Sequence, residues 1–435
     1  MDDRKELSAP KGMNDILPGA AEPLLDSELW QHFIAVTAHH FESFGFRRVW
    51  LPAVENTALF ARSIGAETDI VAKEMFSFED RGGRPLTLRP EGTASAVRAY
   101  IEHRYPREAP QQRWWYFGPM FRGERPAKGR YRQFYQVGVE MFGAAAPTAD
   151  AELLHALWQW FQKLGLSGIT VRINSLGDAW CRERYRASLQ AYLRHHENEL
   201  CDDSKRRIDT NPLRVLDCKR DGCKRVASGA PDILEALSDD SRRHFDRVLE
   251  LVAELGIPVI RDPCLVRGLD YYTGTVFELT TDQLGAQDAL VGGGRYDDLV
   301  RELGGPPTPA IGFAAGVERI AELLARHRRP RQGPDLYVIP MPGTEVRALQ
   351  IADAVRALGS WRVEVDVAGG RLKRQLKRAD RSGARAALVL GDEEIASGRA
   401  KLRDLGVSSE VDIDLDGAAL HTALGSLFSG REPNR

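Results

Sequence analysis

Trp114 to Phe142 reads WWYFGPMFRGERPAKGRYRQFYQVGVEMF, and this stretch decides the fold. It divides into two apolar runs joined by a basic loop. The first run, Trp114 to Phe121, is aromatic and apolar. The second, Gln133 to Phe142, alternates with period two, as a strand with two unlike faces must. Tyr135, Val137, Val139 and Met141 share one face and suit a core. Phe134, Gln136, Gly138, Glu140 and Phe142 share the other. That face sets an amide and a carboxylate on one wall with a glycine between them, which predicts room for a small ligand. The loop, RPAKGRYR, carries Arg125, Lys128, Arg130 and Arg132 around a glycine. A compact polyanion or a nucleic-acid backbone is its natural partner.

The 435 residues around this hairpin are enough for two or three domains with a large core. A hydrophobic content of 43% with 28% charged residues is ordinary for a globular protein. The formal net charge is only -2, so nucleic-acid binding must come from local patches. No apolar run approaches the roughly 20 residues that span a membrane. The N-terminal stretch lacks an apolar signal region, and a cytoplasmic protein is expected. The five cysteines are Cys181, Cys201, Cys218, Cys223 and Cys264. Cys218 and Cys223 are close, with Cys201 upstream, but no second short-spaced pair completes four ligands. The reading is free thiols and no metal.

Helical spacing at Leu25, Leu29, Phe33 and Val36 predicts a helix within Leu24 to Phe44, stopped at Gly45. Strands are expected at Arg47 to Val54 and Leu86 to Arg89. The second leads into a helix whose start is marked by the glycine and threonine of RPEGTASAVRAYIEH. A helix at Ala149 to Leu164 and a strand at Ile169 to Asn174 follow. From about 178 to 241 the chain is charged and rich in arginine, glutamate and cysteine, which reads as a helical insertion. Strands resume in CLVRGLDYYTGTVFELTT and DALVGGGRYDDLV, and a last strand and helix in AIGFAAGVERIAELLARH. Residues 328–334, RRPRQGP, suit a linker. Beyond it, strands at Asp335 to Met341, Trp361 to Val367 and Ala386 to Leu390 alternate with helices at Glu345 to Leu358 and Arg371 to Arg381. That alternation predicts a small α/β domain over 335–435.

Taken singly, several motifs stay open. Arg122 and Glu124 in FRGER suit a surface salt bridge as well as a site. GGGR suits a tight turn, and the Tyr271–Tyr272 pair suits core packing. Arg319 sits in the first turn of a predicted helix, where the helix dipole disfavours a cation by a few tenths to about 1 kcal/mol. A bound phosphate offsets that cost, but a solvated arginine also fits. The basic run from Arg371 to Arg381 suits a solvated helix face.

Together, these motifs resemble one family. The hairpin is similar to the second signature motif of class II aminoacyl-tRNA synthetases, and AIGFAAGVERI to the third. LVRGLDYYTGTVFE and VGGGRYDDL resemble the two histidine-specific signatures of the histidyl-tRNA synthetase family. TLRPEGTA resembles its amino-acid loop, and KGMNDILPG its N-terminal segment near the dimer interface. The resemblance implies an α+β catalytic domain over 1–327, an antiparallel sheet with flanking helices and the helical insertion. It implies a C-terminal α/β anticodon-binding domain over 335–435. It implies ATP-dependent attachment of L-histidine to histidine tRNA through a histidyl-adenylate, with ATP and Mg²⁺, in a homodimer.

The resemblance also assigns roles. Arg122, Arg267 and Arg319 are the catalytic cations, and ATP meets Arg122, Glu124 and Arg319. Histidine meets Glu91, Thr93, Gln136, Glu140, Tyr271 and Tyr272. The tRNA acceptor end meets Arg125, Lys128 and Arg130. One position departs from many bacterial members, which carry glutamine after the loop proline; this chain has Ala127. The rival reading is an inactive paralogue, a regulatory subunit in histidine biosynthesis. Such proteins typically lack the C-terminal domain and several of the signature residues that this chain retains.

Overall fold

The computed structural model describes residues 7–64, 70–127, 129–267, 269, 271–285, 289–327, 333–359, 361–407 and 409–428. These fall into two compact units: the described residues of 7–17 and 21–327 form unit 1, and those of 18–20 and 333–428 form unit 2. Most of the expected linker, and Lys128, therefore lie outside the described residues. Among the described residues, no helix is long and apolar enough to cross a membrane.

Unit 1 contains strands β1 (Arg47–Arg48), β2 (Val54–Asn56), β3 (Phe76–Glu79), β4 (Pro85–Leu88), β5 (Gln112–Phe121), β6 (Gln133–Phe142), β7 (Ile169–Ser175), β8 (Val259–Arg261), β9 (Thr273–Thr281), β10 (Ala289–Arg295) and β11 (Ala310–Gly316). Eight of them form one sheet in the order β1-β5-β6-β11-β10-β9-β7-β8. Pairing is antiparallel through the centre and parallel only at the two edges, β1–β5 and β7–β8. The hairpin read from the sequence is the β5–β6 pair, in register from Gln112–Phe142 to Phe121–Gln133.

Period two then sorts the side chains. Val137, Val139 and Met141 enter a core beneath the sheet with Phe277, Phe313 and the helices Ser27–Ser43, Pro147–Lys163, Asp239–Glu254 and Val317–His327. Phe142, Tyr116 and Val276 enter a second cluster on the opposite face, with the helix Thr93–Glu102. Five helices and two single turns fill the stretch from 179 to 254. The last of these helices, Asp239–Glu254, packs into the first core through Phe245, Val248 and Val252.

One expectation fails early in the chain. Arg47 to Val54 is not a single strand: it breaks into β1 and β2, which join different sheets. Pro52 lacks a donor. The Leu51 and Pro52 carbonyls are taken by the buried Arg89 guanidinium, at 2.8 and 3.3 Å.

Unit 2 holds β12 (Leu336–Pro340), β13 (Val363–Val365), β14 (Ala386–Leu390), β15 (Arg399–Asp404) and β16 (Ser409–Asp414), in the order β13-β12-β14-β15-β16. The first three are parallel, and β15 and β16 extend the sheet antiparallel. β13 is shorter than the expected Trp361 to Val367. Asp366 accepts from the amides of Ala368 and Gly369 and turns the chain.

Candidate active site

The floor of the site follows from strand register. Directly opposed residues share a face, so one row runs Tyr116, Gly138, Ala314, Gly292, Glu278 across β5, β6, β11, β10 and β9. Three small residues in the middle keep side chains out of that row. Above it lies a cavity of about 240 Å³. Three arginines reach it from separate segments: Arg122 after β5, Arg267 before β9, and Arg319 in the first turn of helix Val317–His327. Glu91, Thr93, Glu124, Arg130, Gln136, Tyr271 and Tyr272 also line it. Arg125 is exposed and lies outside this wall.

Each arginine is fixed by a different contact. Arg122 Nε donates to Pro90 O at 3.0 Å, and its guanidinium stands 5.0 Å from the Phe134 ring. Arg319 Nη1 donates to Ala289 O at 2.5 Å. Arg267 pairs with Glu278 and lies 6.0 Å from the Tyr272 ring centroid. Burial makes the Arg122 and Arg319 charges costly and pushes both pKa values down; at Arg319 the nearby Arg130 cation adds to this. Burial also opposes the Arg267 charge, but Tyr272, Glu278 and Tyr271 outweigh it and the pKa rises. A polyanion in the cavity would relieve the cost at Arg122 and Arg319.

GGGR is not a tight turn. Gly292, Gly293 and Gly294 lie inside β10. A Cβ on Gly292 would stand 1.6 Å from Arg267 Nη2. Arg295 points away to a fully buried ion pair, with Nη2 2.6 Å from Asp150 Oδ2. Glu124 pairs with Arg130 at 3.1 Å. Strand β5 ends at Phe121, so FRGER turns out of the sheet instead of continuing it.

Two further carboxylates belong to the site, Glu91 in its wall and Glu140 behind it. Glu91 is buried and accepts from the Thr93 and Ala94 amides at 2.6 and 2.9 Å, at the start of helix Thr93–Glu102. Burial raises its pKa, against those amides and Arg122. Glu140 does not line the wall. It lies behind it, fully buried, and accepts from the hydroxyls of Thr93 (2.8 Å), Tyr116 (3.0 Å) and Tyr296 (2.6 Å). Burial lifts its pKa to about 8, against the hydroxyls of Tyr296 and Thr93. The space above Gly138 is likewise not left for a ligand. Tyr116 fills it, its ring 2.0 Å from where a Cβ would stand.

Tyr116, Tyr296, Glu278 and Glu318 were not singled out from the sequence, whereas Phe134 falls on the face expected to meet a ligand. Antiparallel register across the hairpin puts Tyr116 opposite Gly138, and alternation along TVFE puts Glu278 on the same face as Val276. Both could be read from pattern. Glu318 could not, because its role is made by a distant partner. It is buried beside the cavity and accepts from the Tyr135 amide at 2.9 Å. The KGMNDILPG segment meets the same region: Arg132 N donates to Gly12 O at 2.7 Å.

In unit 2 the helix Leu372–Arg381 spends one of its cations internally. Arg378 holds Asp366 through two bonds of 2.8 Å. Lys373, Arg374, Lys377 and Arg381 are exposed.

A mainly antiparallel sheet with helices beneath it, three arginines with Glu91 and Glu124 over a floor of small residues, and an α/β unit after it together define a class II aminoacyl-tRNA synthetase. Comparison with known proteins narrows this. The family description "Histidyl-tRNA synthetase" matches residues 12–320, and "Anticodon binding domain" matches 335–419. A histidine–tRNA ligase of Anaeromyxobacter dehalogenans is 49% identical over 94% of this chain and 98% of its own length. One of Halorhodospira halophila is 47% identical over 96% and 98%. The apo histidyl-tRNA synthetase of S. aureus superposes with a TM-score of 0.78 at 33% identity, covering 96% of this chain and all of that one. The chain belongs to the histidyl-tRNA synthetase family.

Proposed function

We propose that the cavity of unit 1 is where histidine and ATP react, and that the three arginines divide the work. The enzyme attaches histidine to tRNA at the expense of ATP. The histidine carboxylate attacks the α-phosphate, and pyrophosphate leaves. The terminal ribose hydroxyl of the tRNA then attacks the activated carbonyl, and AMP leaves. Neither step needs a bond to the protein, so the site contributes alignment and charge stabilisation. The regulatory reading is not favoured, since the relatives named as ligases match both units over nearly their whole length.

The observation that carries the site assignment is the convergence of Arg122, Arg267 and Arg319 from three segments onto one cavity. Arg122 and Arg267 would hold the α-phosphate and the carboxylate. Arg319, with Arg130 beside it, would hold the outer phosphates. Glu91 and Gln136 would receive the ammonium group, and Tyr271 and Tyr272 would enclose the imidazole. Glu140 would act on the ring through Thr93. Mg²⁺ takes oxygen ligands and commonly uses one or two carboxylates plus substrate phosphates. Glu124 is the carboxylate that fits, because it lines the cavity beside the arginines. The ion would neutralise phosphate charge as pyrophosphate leaves.

The chain divides, in this reading, into a catalytic domain over 1–327 with its insertion at about 178–241, a linker over 328–334, and an anticodon-binding domain over 335–435. Arg125, Lys128 and Arg130 would face the acceptor end of the tRNA. A cytoplasmic homodimer is the expected form, since twofold assembly is the common default. Exposed Trp50, Val54 and Phe78 in and near the small β2-β4-β3 sheet offer it apolar surface.

The test is ATP–pyrophosphate exchange with each amino acid in turn, repeated with Arg267→Ala. Exchange with histidine alone, falling by a factor of roughly 10² or more in a folded variant, is expected. Near-normal turnover of that variant would remove Arg267 from the reaction.

A further inference from the structure

The insertion brings three sulfur atoms from three short helical segments to one point. Cys201 caps the start of helix Asp202–Thr210, Cys218 follows the turn Leu213–Leu216, and Cys223 lies in helix Asp221–Ser228. Their Sγ atoms all lie within 4.8 Å of one another. Cys201 and Cys218 Sγ are 3.9 Å apart. A fourth polar atom closes the group: Ser204 Oγ is 3.3 Å from Cys201 Sγ and 3.5 Å from Cys223 Sγ. Ser204 and Cys223 are each 1% exposed. Cys201 and Cys218 are half-buried, which leaves a way in from solvent.

Thiols also serve as small apolar side chains, and Cys264 does so nearby, its Sγ directed at Ala227 O. Packing alone does not explain why three thiols and a buried hydroxyl share one point. Tetrahedral zinc does. Zn–S bonds of about 2.3 Å set ligand sulfurs about 3.8 Å apart. The observed spacing is already close to that, and small rotamer shifts would bring the third sulfur in. The sequence hid the arrangement because the only short-spaced pair was Cys218 and Cys223, and the fourth corner is a serine.

We propose that Cys201, Cys218 and Cys223 bind one thiophilic divalent cation, Zn²⁺, as three thiolates, with the Ser204 hydroxyl at the fourth corner. Binding forms three metal–sulfur bonds as the three thiols release their protons to solvent, and no oxidation state changes. Every protein corner is filled, so the site is structural. It ties three short helices, whose Ile208, Val215 and Val226 also pack into the second cluster, in an insertion that reaches the active site. There Arg182 Nη1 donates to Tyr272 O at 2.6 Å.

The test uses the full chain, without a histidine tag, purified under reducing conditions, stripped with a chelator and titrated with Zn²⁺ or Co²⁺. One equivalent should bind, with thiolate-to-Co²⁺ charge-transfer bands, and the melting temperature should rise on binding. Cys218→Ser and Cys223→Ser should abolish the bands, and Cys264→Ser should leave them intact. Ser204→Cys completes a four-thiolate set and should tighten binding about tenfold or more. That gain keeps the test decisive even where a serine variant fails to fold. Binding below one equivalent by the reduced protein overturns the proposal, as does Co²⁺ binding indifferent to Cys218→Ser. A Cys201–Cys218 disulfide in metal-free protein isolated without reductant would overturn it in favour of a redox pair.

Discussion

Thr93 Oγ1 donates its proton to Glu140 Oε1 at 2.8 Å. The hydroxyl oxygen therefore keeps its lone pairs for the cavity, which Thr93 lines and Glu140 does not. A carboxylate behind the wall thus fixes the direction of a hydroxyl in it. Thr93→Val keeps the shape and removes the acceptor. Losing a hydrogen bond to the neutral imidazole N–H costs about 0.5–1.5 kcal/mol, so the KM for histidine should rise roughly two- to tenfold in pyrophosphate exchange. The KM for ATP should hold. An unchanged histidine KM would show that the hydroxyl does not meet the amino acid.

Glu140 also gives a pH prediction. Its pKa stands at about 8 in the fold, above an ordinary value of 4.5, because of burial. Between those values the folded protein holds a proton that the unfolded chain has lost. The stabilisation is full below the lower value and is lost as pH rises through the upper one, by at most about 1.4 kcal/mol per pH unit. Glu140→Gln should flatten the fall in unfolding free energy across that window. It should not abolish it, because burial also raises Glu318 and Glu91. Urea unfolding across the window checks this; an unaltered slope would mean that Glu140 is charged throughout.

Adjacent glycines in β10 should separate function from stability. A Cβ on Gly292 meets the end of the Arg267 side chain, which can move. A Cβ on Gly293 meets Gly312 O at 2.6 Å and Phe313 Cβ at 2.6 Å, which cannot move without opening the sheet. Gly292→Ala should therefore lose exchange activity with little change in melting temperature. Gly293→Ala should lose stability, by about 1–3 kcal/mol as overpacking commonly does. The reverse pattern would sink the positioning of Arg267.

The contrast between these glycines marks what could be read from the chain. Alternation placed Val137, Val139 and Met141 in the core and Gln136 on the cavity side, because a strand has only two faces. The helices starting at Thr93 and Val317 were legible from glycine and from the apolar positions that follow. Depth was not legible. Gln136 and Glu140 share a face, yet one lines the cavity and the other is sealed behind Tyr116, which arrives from the neighbouring strand. Long-range partners were equally hidden. Nothing near Arg295 announces that it turns to Asp150 while Arg267 turns to Glu278. β15 and β16 were missed because β15 alternates with a charged Asp404 among its buried residues, and β16 buries only Ile413.

Asp150 and Arg295 form a pair whose loss should be purely structural. Asp150 is fully buried, and burial would raise its pKa, but His244 and Arg295 outweigh that and lower it. Removing one partner strands the other charge. Arg295→Ala should destabilise unit 1 by about 3–5 kcal/mol. Refolded protein, measured at low temperature with ATP saturating and histidine varied, should retain its KM for histidine. A raised KM with unchanged stability would move Arg295 into the binding site.

The helix Leu372–Arg381 carries cations of two kinds, and they should fail differently. Arg378 is held by Asp366, so Arg378→Ala leaves that buried carboxylate without its main partner and should lower the stability of unit 2. Arg374 and Lys377 are exposed. If they meet tRNA phosphates, Arg374→Ala and Lys377→Ala should weaken tRNA binding and reduce the salt dependence of log K. Each lost contact should reduce it by about 0.7–0.9. Pyrophosphate exchange needs no tRNA and should not change, so the two assays separate a tRNA contact from a damaged active site. An unaltered salt slope with normal charging would leave Arg374 and Lys377 as a solvated face.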